Sequence, residues 1–196
     1  MKKEIIITGV GSRHPDNAGF VSQHRIAATL SKEDARVRTG DAIGVDSIYR
    51  GHYYFCSNIE VYRPTDKIPE KAFDIASTIH PYWFKKDGSC NLMEFTMRLM
   101  ARSVMQVLGK NLNSPSSAVV CWTKDGCEHR SSYAPLSTGG TGIAISVASD
   151  LGKIAEDFNL VDEFGNKLQD IPVFNTCNQG QEEKFMSFYK QLCHAA

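Results

Sequence analysis

The chain has 196 residues, 42% of them hydrophobic, and its 22 basic residues are balanced by 22 acidic ones. That length supports one sizeable core and is short for two, so a single domain over 1-196 is expected. Balanced charge excludes a protein that grips long stretches of nucleic acid by charge alone and leaves room only for a local basic patch.

Glu4-Ile5-Ile6-Ile7-Thr8 is a continuous β-branched run, the pattern of a central strand buried on both faces, and Gly9-Val10-Gly11-Ser12-Arg13 follows as its exit loop. Ser12 and Arg13 then sit at the carboxyl end of a strand, where open α/β sheets bind ligands. The Arg13 fork suits phosphate or carboxylate; the alternative is a surface arginine in a turn. Asp16 or Asn17 caps the next helix, with Phe20, Val21, Ile26, Ala27 and Leu30 on its apolar side.

Arg36-Val37-Arg38-Thr39 reads as a short strand leading into Gly40-Asp41-Ala42-Ile43-Gly44-Val45-Asp46, and helical spacing begins after Gly44. Asp46 falls in the first helical turn, where it either caps the helix or contacts a ribose hydroxyl or reacting group. Asn58-Ile59-Glu60-Val61-Tyr62 is a third strand, so the order so far predicts a parallel, doubly wound sheet.

Residues 67-110 read as a helical insertion with two helices separated by Pro81, the first to about His80 and the second from about Cys90 to Leu108. Leu92, Phe95, Leu99, Val104 and Leu108 form the inward side of the second, with its methionines as core filler. Arg98 and Arg102 are four apart and share a face, which is either solvated or turned toward the glycine loops.

Ser117-Ala118-Val119-Val120-Cys121-Trp122 is the next buried strand, and Trp122 at its end either stacks on a nucleobase or closes the core. The polar loop from Lys124 to Tyr133 is long enough to read as a lid. It delivers the chain to Ser137-Thr138-Gly139-Gly140-Thr141-Gly142, which is followed by the small, apolar run Ile143-Ala144-Ile145-Ser146-Val147-Ala148. Glycines and hydroxyls at the positive end of a buried helix make a phosphate cradle; a turn requiring positive φ is the plainer alternative. Glu163-Phe164-Gly165-Asn166-Lys167 reads as a hairpin turn, Ile171-Pro172-Val173-Phe174-Asn175 as a last strand, and Gln181 to Cys193 as an amphipathic helix with Phe185, Phe188, Tyr189 and Leu192 inward.

The six cysteines form no CxxC pair, no apolar run approaches the roughly 18 residues of a membrane span, and Met1-Lys2-Lys3-Glu4 leads directly into a strand pattern. A reducing cytoplasm and no membrane partner are expected. Cys121, Cys127 and His129 match no common zinc spacing, so neither a metal nor a cofactor is assigned.

Gly11-Ser12-Arg13, Thr39 to Asp46, and Thr138 to Gly142, taken in this order at three strand ends, resemble the SLOG superfamily over Lys3 to Phe174. Its DprA-like branch carries an S-G-G-A-x-G-x-D turn, matched here by Thr39 to Asp46 with Asp41 in place of the second glycine. Met100-Ala101-Arg102-Ser103 and Gln106-Val107-Leu108-Gly109 are similar to small phage members of the group. The resemblance implies a Rossmann-like α/β fold, a doubly wound and mostly parallel sheet flanked by helices in three layers, binding nucleotides or nucleotide-derived ligands, often as a homodimer or higher homo-oligomer. The LOG-like branch cleaves the base-ribose bond with a P-G-G-x-G-T-x-x-E signature, and Ser146 stands at its glutamate position. Serine without a base does not replace a carboxylate there.

The first functional expectation is therefore a nucleotide-binding protein that senses or sequesters its ligand. Gly11, Ser12, Arg13, Gly40, Asp41, Gly44, Asp46, Trp122, Thr138, Gly139, Gly140, Thr141 and Gly142 are its candidate ligand residues. The alternative is a nucleotide N-glycosidase or deoxyribosyltransferase using Asp46, Glu94 and Arg102 as catalytic residues. A further alternative is DprA-like binding of single-stranded DNA, disfavoured by the neutral charge.

Overall fold

The computed structural model describes residues 4–195; Lys3, where the span of family resemblance begins, lies outside them. The first strand, β1 (Ile6–Gly11), is followed by α1 (Asn17–Lys32), β2 (Arg36–Gly40), α2 (Val45–His52) and β3 (Ile59–Tyr62). Next come α3 (Glu70–Ile79), α4 (Glu94–Leu108), β4 (Ala118–Trp122), a 3-10 turn at Arg130–Ser132, α5 (Thr141–Ser149), α6 (Leu151–Phe158), β5 (Val173–Asn175) and α7 (Gln181–Ala195). The five strands lie in the order β3-β2-β1-β4-β5 and every neighbouring pair is parallel. This is a three-layer, Rossmann-like α/β/α fold.

Period-two alternation assigns each strand residue to one of two cores. Ile7, Val37, Ala118, Val120 and Trp122 pack with Ile26, Leu30, Ile48, Tyr49 and Phe185 from α1, α2 and α7. Val10, Val119 and Cys121 pack with Ile75, Val104, Leu108, Ile143, Ile145 and Leu151 from α3 to α6. Strand order reverses at β1, with β2 on one side and β4 on the other, and this opens a crevice at their carboxyl ends.

Several elements differ from the sequence reading. β1 extends to Gly11, so Gly9 and Gly11 are paired strand residues opposite Val120 and Trp122 and not an exit turn. Gly9 is there for close approach: a Cβ on it would sit 2.5 Å from the Tyr49 ring of α2, which is fully buried. Phe20, Val21 and Phe95, expected inward, are exposed. α4 begins at Glu94 because Cys90 is bridged antiparallel to Phe84 and Met93 is still extended, at φ −66° and ψ 148°. The cradle helix breaks at Asp150, giving α5 and α6. The 163–167 turn is closed by a single bridge, Val161 to Lys167, without flanking strands. Among the described residues no helix is long and apolar enough to cross a membrane.

The Tyr49 hydroxyl donates to Gln23 Oε1 at 2.8 Å, so the ring cannot turn aside without orphaning a buried acceptor. Gly9→Ala is therefore expected to destabilise the fold by about 1–3 kcal/mol, read as a lower midpoint in urea unfolding. An unchanged midpoint would show that α2 can lift off the sheet at no cost.

Candidate functional site

A cavity of about 300 Å³ lies at the carboxyl end of β1. β1 and the loop after it supply Val10, Gly11, Ser12 and Arg13, and the turn before α5 supplies Ser137, Thr138, Gly139, Gly140 and Thr141. Ala42 and Asp46 come from the turn and helix after β2, and Leu99, Met100, Arg102, Ser103 and Gln106 from α4. The two glycine turns therefore stand on the same rim of the sheet with open space between them.

Their positions follow from local bonding. Ser12 N–H donates to Trp122 O at 2.9 Å, and Val45 N–H donates to Ser12 O at 3.2 Å, which fastens the β1 loop to both its neighbours. Arg50 donates to the carbonyls of Gly40 at 2.8 Å and Ala42 at 3.0 Å and so holds the second turn closed. Ahead of α5, Asp125 accepts from the Ser137 hydroxyl at 2.8 Å and from Thr138 Oγ1 at 2.5 Å. Burial alone would raise the Asp125 carboxyl, but the hydroxyls of Thr138, Thr123 and Ser137 together hold it below its ordinary range. Gly139 has φ +66°, a conformation that side chains rarely adopt, and open space where a Cβ would lie.

The cavity floor carries a buried ion pair, with Arg102 Nη1 3.5 Å from Asp46 Oδ2. A Cβ on Gly40 would fall on Arg102 Nη1 and Asp46 Oδ2, so only glycine leaves the notch that the guanidinium fills. Burial pushes the Asp46 carboxyl above its ordinary value of 3.8, against the opposing pull of Arg102, the Ala42 N–H, Arg50 and the Gly11 N–H. Arg102 and Gln106 line the cavity, but their Nε and Nε2 atoms are turned away from open space and meet no acceptor among the described residues.

The structure brings together Gly11, Ser12, Arg13, Asp46, Arg102, Thr138, Gly139, Gly140 and Thr141 in the lining. Gly40 stands directly behind it, under the ion pair. Gly44, at φ +82°, packs on the backbone of Ser12 and Arg13, and Gly142 lies under the Tyr133 ring. Asp41 is exposed outside the lining. Glu94 is exposed at the start of α4 and likewise outside it, since the part of α4 that lines the cavity begins at Leu99. Trp122 is buried on the opposite face of the sheet, its ring against Gly19, since its place in β4 gives it the same facing as Val120. Arg98 does not share the fate of Arg102: it donates to the carbonyls of Pro64 and Asp66.

The 124–133 loop, expected as a lid, contributes no residue to the lining: Asp125 holds the turn before α5, and the rest of the loop is tied to other parts of the fold. Asn175 Nδ2 donates to Thr123 Oγ1 and to Cys127 O, Asn178 Nδ2 donates to Gly126 O, and Arg130 pairs with Asp150 at 2.7 Å. The sequence reading missed Ser103 and Gln106. Gln106 follows Arg102 by four residues, so the spacing that singled out Arg98 and Arg102 continues to it.

No family model matches the chain, and no curated protein matches it. A solved structure of DNA processing protein A from Helicobacter pylori, described for its single-stranded DNA binding mode, is similar at 15% identity, with a TM-score of 0.45 over 96% of this chain and 81% of that one. The fold assignment rests on the sheet order and layers described above.

Asp46 generates a pH prediction. The folded protein holds its proton more tightly than the unfolded chain does, so the group favours folding at low pH and that contribution declines as pH rises through the raised folded value. In urea unfolding from about pH 4 to pH 7, Asp46→Asn is expected to lack this decline. A decline of equal size in the variant would assign it to another group.

Proposed function

We propose that the protein binds a nucleotide or nucleotide-derived ligand in the cavity between the glycine turns. One observation carries this reading: the N-terminus of α5 and its glycine turn line the same cavity as the β1 loop and a buried arginine. Backbone amides at a helix N-terminus favour an anion, and Ser12 and Arg13 at the mouth add donors to the same group. Asp46 is then the carboxylate for sugar hydroxyls. A cavity of about 300 Å³ is at the small end of ligand sites, which fits one nucleoside with its phosphate better than a dinucleotide. SLOG membership, self-association and a cytoplasmic setting belong to the same proposal.

A second reading rests on the lining as well. Asp46 is the carboxylate on the cavity surface, so cleavage of the base-ribose bond would use it, with Ser146 buried in α5 and Glu94 outside. Release of free base from a bound nucleoside monophosphate, followed chromatographically, decides between binding and turnover. A strand end of single-stranded DNA offers the same phosphate and base, and labelled oligonucleotides in a retardation assay at varied salt test that mode.

Calorimetry against nucleoside phosphates should show binding that Arg102→Met and Gly139→Val each weaken by about tenfold or more. Absence of binding to every nucleoside phosphate, with the protein folded, would overturn the proposal.

A further inference from the structure

Arg102 lines the cavity with a side chain that is 8% exposed, yet none of its N–H groups makes a hydrogen bond among the described residues. Nε is closed off from open space, whereas Nη1 and Nη2 keep accessible surface and form the end that the side chain turns to the cavity. Its opposing charge, Asp46 Oδ2, stands 3.5 Å from Nη1, beyond the roughly 2.7–2.9 Å of a charge-assisted hydrogen bond. The fork is therefore balanced in charge and still free to donate.

An oxyanion suits those donors and upsets that balance. Asp46 is 3% exposed, so an arriving phosphate and the carboxylate would share one buried guanidinium. Two anions that share a site away from water do not both stay ionised; one of them takes a proton. The phosphate keeps its charge, because the amides of the α5 turn and Arg13 at the mouth support it from the other side. Asp46 has no such reserve. The groups that face it are Arg102 from α4, Arg50 from its own helix and the N–H groups of Ala42 and Gly11, and against all of them burial already pushes its carboxyl above the ordinary value. Tyr49, further along α2, is a phenol that burial keeps neutral, and no histidine is among the lining residues.

We propose that the site takes up its anion together with a proton: the phosphate accepts from Arg102 Nη and the α5 amides, and Asp46 passes from carboxylate to carboxylic acid as it arrives. The proton comes from solvent, and no other bond forms or breaks. This rests on the phosphate-binding reading above. In its neutral form Asp46 still accepts from a sugar hydroxyl through its carbonyl oxygen and gains an O–H to donate. Linkage fixes the sign: affinity is greatest at low pH and falls as pH rises between the value of the carboxyl in the free site and its higher value in the complex.

Sulfate has the shape of phosphate without its titration near neutral pH and is the first probe. Calorimetry from about pH 5 to pH 8 should show wild-type affinity falling by up to about tenfold per unit, with a heat that depends on the buffer because a proton is taken up. Asp46→Asn should remove the fall and bind more tightly than wild type at the upper end of the range. His14→Gln, which changes an exposed residue outside the lining, should keep the wild-type slope. Adenosine and uridine monophosphate are run alongside; their phosphate titrates at about pH 6 with either protein, so the difference between wild type and Asp46→Asn is what is read. Thermal unfolding confirms that Asp46→Asn is folded; if it is not, Asp46→Ser takes its place, and the wild-type slope stands as its own test. Wild-type affinity that is flat with pH, or a fall of equal size in the Asp46 variant, overturns this inference and leaves the phosphate reading intact. Failure of sulfate and of every nucleoside phosphate to bind overturns both.

Discussion

The contact between Asp46 and Arg102 joins the two helical layers. α2 packs on one face of the sheet and α4 on the other, so their side chains meet only beyond the carboxyl edge of β2. Gly40, the last residue of that strand, leaves the space in which they do so. A buried pair of this kind does not in general stabilise a fold more than apolar packing would, because both charges lose their hydration. Its consequence here is positional: a guanidinium and a carboxylate are held at the bottom of a crevice that the sheet topology alone would leave lined by backbone and apolar groups.

The fold was largely legible because the strands carry unmistakable β-branched runs and the helices between them are amphipathic. Strand ends were less so. Gly9 and Gly11 read as a turn, since glycine usually punctuates, yet here it permits close packing of Tyr49 and Val45 on a strand that continues. Phe20 and Phe95 show the complementary limit: an apolar residue at helical spacing marks a face, but whether the face has a neighbour depends on the tertiary arrangement.

The site was legible by residue type at the two glycine turns and illegible in the residues between them. Trp122 lies at a strand end, as read, but its facing relative to the cavity depends on which sheet face α4 and α5 cover. Glu94 lies outside the lining because it stands exposed in the first turn of α4, more than two turns before Arg102. Gln106 was missed because glutamine has no strong pattern of its own; only its register behind Arg102 marks it.

Asp125 grips the hydroxyls of both Ser137 and Thr138, and Asn175 and Asn178 in turn anchor the loop that carries Asp125. The glycine turn is thus shaped before anything enters it, even though Gly139 brings no side chain to restrain it. A floppy glycine loop would surrender conformational entropy each time it closed on an anion. In this protein that loss is taken once, at folding, so an anion bound there as proposed would dock into a rigid mould and not into a closing hand.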